Sequence, residues 1–72
     1  MKQLIIEITK SYLEKKENIY VFGLLGTEEM MPIEVIFNET NQSLCDEDYK
    51  KIINGDNDTI QHFITIIKGE NL

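Results

Sequence analysis

Apolar residues recur along the chain in short runs separated by polar stretches, and the period within each run points to an element. Residues 3–9, QLIIEIT, alternate Leu4, Ile6 and Ile8 and are rich in β-branched side chains, which predicts a strand whose face continues to Tyr12. The same segment also carries a helical stripe, Leu4, Ile5, Ile8 and Tyr12, so a helix over 3–16 is the rival reading. EKKEN, residues 14–18, is a polar turn. NIYVFGLLG, residues 18–26, reads as a buried strand with Tyr20, Phe22 and Leu24 on one face and Ile19, Val21 and Leu25 partly on the other. Gly23 inside it marks a bulge or a close backbone approach. MPIEVIF, residues 31–37, alternates Ile33, Val35 and Phe37 and predicts a third strand, with Pro32 at its start or on an edge and Glu34 toward solvent.

Beyond the polar NETNQS, residues 38–43, the period becomes helical. Ser43 is a good N-cap with Asp46 three residues on, a capping-box-like spacing. Asp46, Glu47 and Asp48 then fall in a first helical turn, where negative charge meets the positive end of the helix dipole. Cys45, Tyr49, Ile52 and Ile53 lie at helical spacing, and Asn54-Gly55 is a stop. Asp58, with Gln61 three residues later, caps a second helix whose stripe is Ile60, Phe63, Ile64 and Ile67, and Lys68-Gly69 closes it. The expected fold is α+β, a three-stranded antiparallel β-meander followed by two C-terminal α-helices packed on one face, in a single small domain spanning 1–72. With the first segment helical, the order becomes α-β-β-α-α.

Length adds a constraint. Seventy-two residues give a thin core, and domains of this size often rely on disulfides, a metal or a second subunit. The lone Cys45 excludes an intrachain disulfide and a multi-cysteine zinc site, and it fits a reducing cytoplasm. The start, MKQLIIEITK, does not read as a signal peptide, because its apolar run is short and Glu7 interrupts it. No run reaches the roughly 18 apolar residues of a membrane span, so the expected location is cytoplasmic. No arginine, twelve isoleucines and six asparagines hint at an A/T-rich coding genome, that of a low-GC bacterium or its phage.

Charge changes the picture most. The net value is −6, unevenly spread. Residues 1–16 carry +2 and residues 50–72 balance, whereas 17–49 hold eight acids and no lysine, for −8. A negative field repels phosphates and anionic membranes, which disfavours direct nucleic-acid binding, and it steers the chain toward a basic protein. The candidate partner-binding residues are Glu28, Glu29, Glu34, Glu39, Asp46, Glu47 and Asp48. The competing reading is that the acidity serves solubility.

Catalytic signatures are missing from the sequence. His62 and Cys45, each the only one of its type, sit on separate predicted helices; Cys45 reads best as a small core residue and His62 as a boundary residue. The stretch 54–59 lacks the turn glycine and final glutamate of a calcium loop, and Gly23 and Gly26 form no phosphate-binding loop. The expectation is a non-enzyme without metal or cofactor. In size and acidity the chain is similar to phage-encoded inhibitors such as anti-CRISPR proteins and to bacteriocin immunity proteins, a likeness of type with no shared motif. That likeness and the charge lead to a small acidic protein-binding module, an inhibitor or regulator that occupies a basic nucleic-acid-binding surface of its target. The alternative is a self-associating structural protein or a homodimeric domain without catalytic activity.

Overall fold

The computed structural model describes residues 1–69. Helix α1 spans Lys2–Leu13, strands β1 and β2 span Tyr20–Phe22 and Met30–Pro32, and helices α2, α3 and α4 span Ile33–Thr40, Asp46–Ile53 and Asn57–Lys68. The only sheet among the described residues is this two-stranded antiparallel hairpin, so the expected three-stranded meander with two C-terminal helices is overturned.

Two segments account for the correction. The first, expected as a strand, is α1, which buries Ile5, Ile6, Ile8 and Thr9. The Thr9 hydroxyl donates to the Ile5 carbonyl one turn back at 2.7 Å, so its burial leaves no polar group unpaired. The second is MPIEVIF. Read as a strand, Ile33, Val35 and Phe37 share a face. In α2 the buried set is instead Ile33, Ile36, Phe37 and Thr40, spaced i, i+3, i+4, i+7, and Val35 is 51% exposed. A helix satisfies its own backbone groups, whereas a strand over 31–37 would need a partner as long as itself, and β1, which pairs with its first residues as β2, has three residues.

The hairpin pairs Tyr20 with Pro32, Val21 with Met31 and Phe22 with Met30. The expected long strand stops at Gly23, whose φ of +75° turns the chain into a 3-10 turn at Leu24–Gly26. Pro32 is at once the last residue of β2 and the N-cap of α2, and the Ile33 N–H donates to the Ile19 carbonyl at 3.0 Å.

Both C-terminal helices start two residues away from their expected caps. α3 has Cys45 at its N-cap, not Ser43, and α4 has Asp56, not Asp58. The Asp56 carboxylate accepts the Thr59 N–H at 3.0 Å. The stops are where glycine puts them, Gly55 at φ +85° and Gly69 at φ +69°.

α1 packs on α3 and α2 packs on α4. The core centres on Phe37, whose ring stacks on Tyr12 at 4.1 Å and meets Tyr49 and Phe63 at 5.3 Å and 5.5 Å. A chain of hydrogen bonds joins the same helices: Tyr49 donates to Asn41 Oδ1 at 2.6 Å, and Asn41 Nδ2 donates to the Tyr12 hydroxyl at 2.8 Å. With its one proton given to Asn41, the Tyr49 hydroxyl accepts from Thr40 Oγ1 at 2.8 Å. Burial pushes the Tyr49 phenol above its ordinary value of 10.0, so it remains a donor at neutral pH.

Val35→Ala separates the two readings of residues 33–37. On the exposed face of a helix it raises stability by about 0.5 kcal/mol, because alanine is the better helix former. A loss on chemical denaturation would return the segment to a strand. Phe37→Ala, at the centre of the rings, costs about 3–5 kcal/mol in the same measurement.

Candidate functional site

The seven acids singled out by charge do not form one patch. α2 carries Glu34 in its first turn and Glu39 near its end. Glu34 lines a cleft of about 360 Å³ together with Glu17 and Asp46. These three carboxylates, far apart in sequence, converge where the end of α1 meets the starts of α2 and α3. Tyr12, Leu13, Lys15 and Lys16 complete the wall, so the cleft carries both signs of charge. Glu39 belongs to a separate groove of about 290 Å³ beside Gln42, Ser43, Ile66 and Ile67. Glu28 and Glu29 sit exposed on the loop leading into β2, and Glu47 sits exposed on α3.

Asp48 departs from the set. Its carboxylate accepts the Cys45 backbone N–H at 3.0 Å and the Cys45 thiol at 3.4 Å, closing the end of α3. These bonds, the backbone one first, hold the carboxyl below its ordinary value of 3.8, with Lys51 and His62 adding a smaller positive field. The other six carboxylates take part in no ion pair or side-chain hydrogen bond among the described residues, where the one ion pair is Lys16 with Glu14 at 3.2 Å.

Cys45 is exposed at the head of α3, which corrects its reading as a core residue. Its thiol bonds to Asp48 and not to His62, so the pair lacks the nucleophile–base contact that covalent catalysis needs. His62 is exposed on α4. Among the described residues, no three histidine, cysteine, aspartate or glutamate side chains could hold a metal ion, and no helix is long and apolar enough to cross a membrane.

The feature missed by the sequence reading is apolar. Tyr20, Phe22 and Met30 are 56%, 61% and 64% exposed. The register puts them on one face of the hairpin, because Phe22 faces Met30 directly and Tyr20 lies two residues along the same strand. The pattern assigned Tyr20 and Phe22 to a buried face with Leu24, whereas Val21 and Leu24 are the buried residues here. Alternation alone does not say which face turns inward. The stop at Gly23 was the usable signal, since it removes Leu24 from the strand and leaves Tyr20 and Phe22 without a third inward-facing neighbour.

The caps predict an acid limb. Asp48 and Asp56 both have lowered values in the folded state, Asp56 mainly through the Thr59 hydroxyl and then its N–H. What they contribute is fully present above the ordinary value of 3.8 and is lost as pH falls through the lowered folded values. Asp48→Asn with Asp56→Asn removes this titration, so thermal midpoints measured against pH should fall less steeply on the acid side than those of the parent. An unchanged slope would show that the caps do not carry it.

No family model matches the chain, and neither a curated protein nor a solved structure matches it.

Proposed function

We propose that this chain is an acidic protein-binding module that occupies a basic, nucleic-acid-handling surface of another protein and thereby inhibits or regulates it. The observation that carries the reading is the set of six exposed carboxylates, Glu28, Glu29, Glu34, Glu39, Asp46 and Glu47, which no lysine of the chain pairs with. Glu34, Asp46 and Glu47 also favour the first turns of α2 and α3, whereas Glu28 and Glu29 on the loop and Glu39 near the end of α2 have no such role. Unpaired acids on several elements produce a long-range field that accelerates encounter with a cationic surface and weakens with salt.

Immobilised protein should retain a basic nucleic-acid-binding protein that salt or competing DNA releases. Replacing the six acids by Gln or Asn, with Asp48 and Asp56 left in place, should abolish that retention in a chain that still melts cooperatively. Equal retention by the neutralised variant at every salt concentration would defeat the acidic-surface reading.

A further inference from the structure

The acids alone give steering and little grip, because rim charges contribute mostly to encounter rate. Grip comes from desolvated aromatic and methionine side chains near the centre of an interface. The hairpin supplies such a group outside the seven acids. Tyr20, Phe22 and Met30 share its outer face and are each more than half exposed, although this small chain buries Phe37, Phe63 and Tyr49 completely. The loop that joins the strands carries Glu28 and Glu29, both exposed, directly before Met30, and no lysine lies between residues 17 and 49.

We propose that Tyr20, Phe22 and Met30 are the apolar anchor of the interface, and that they take a protein surface whose apolar centre is ringed by lysine or arginine. This rests on the reading of the chain as an acidic binding module and adds the site and the chemistry of its partner. Area and charge taken together decide against a second copy. At this exposure the three side chains present roughly 300 Å², well below the roughly 800 Å² per partner of a stable interface. The rest must come from the surrounding surface of a chain whose net charge is −6, and a two-fold contact would bring Glu28 and Glu29, beside Met30, toward an equally acidic copy. An unlike partner with a cationic rim meets the same surface with attraction.

The test uses a synthetic amphipathic helical peptide of leucine and lysine, titrated into the isotope-labelled protein and followed by amide chemical shifts. Two further peptides replace leucine by serine or lysine by glutamate. Shifts should concentrate at 20–22 and 30–32 with the leucine–lysine peptide and be absent with the leucine–glutamate one. Tyr20→Thr, Phe22→Thr and Met30→Thr together keep strand propensity and should weaken binding at least about tenfold, with Phe22→Thr alone as the milder version. Undiminished binding by the triple variant, or equal binding of the serine–lysine peptide, overturns the anchor. A wild-type dimer in sedimentation that the triple variant dissociates also overturns it, since a second copy would then cover the face. Binding lost in the triple variant but kept by the six-acid neutralised protein defeats the acidic reading and leaves the anchor standing. The reverse pattern defeats the anchor alone.

Discussion

The fold depends on one aromatic contact, the stack of Tyr12 on Phe37 with the edge of Tyr49 against both rings. Each ring comes from a different helix, and each helix is too short to persist by itself in water. The hydroxyl chain from Tyr12 through Asn41 to Tyr49 and Thr40 satisfies the polar ends of rings that would otherwise be costly to bury. Among the described residues no buried side-chain nitrogen or oxygen lacks a partner. A domain with a thin core thus gains specificity from a fully bonded polar network laid over its ring cluster.

Legibility in the sequence divides along the chain for a physical reason. In the C-terminal half the stripe Ile60, Phe63, Ile64, Ile67 has a single reading, and Gly55 and Gly69 mark stops through their left-handed conformation. The starts shifted because two candidate caps compete at each. Ser43 and Cys45 are both followed at three residues by an acid. The end of α2 settles the choice: the Thr40 carbonyl accepts from both Ser43 and Leu44 N–H, and Leu44 is buried, so those residues belong to the preceding turn. In the N-terminal half, short isoleucine-rich runs fit both a two-residue and a 3.6-residue period. Only the packing of Ile33, Ile36 and Phe37 against other helices decides between them, and that information is not local.

The acidic residues show a similar division. Helix electrostatics explains the position of Asp46, Glu47 and Asp48 in the first turn of α3 and was visible from spacing. That Asp48 would turn back on Cys45, while Glu34 and Asp46 meet Glu17 across a cleft, depends on how α1, α2 and α3 come together. The apolar hairpin face was hidden for a simpler reason: a two-stranded ribbon packed on one side turns its other side to solvent, and alternation is blind to the choice.

Pro32 joins the hairpin to the rest of the molecule without a linker. The residue that faces Tyr20 across the sheet also opens α2, and the next N–H is tied back to Ile19. No residue intervenes to act as a hinge, and proline's ring fixes the backbone angle at the junction. The hairpin is therefore a stiff handle on the core. A displacement of the hairpin is thereby coupled through α2 to the Phe37 ring.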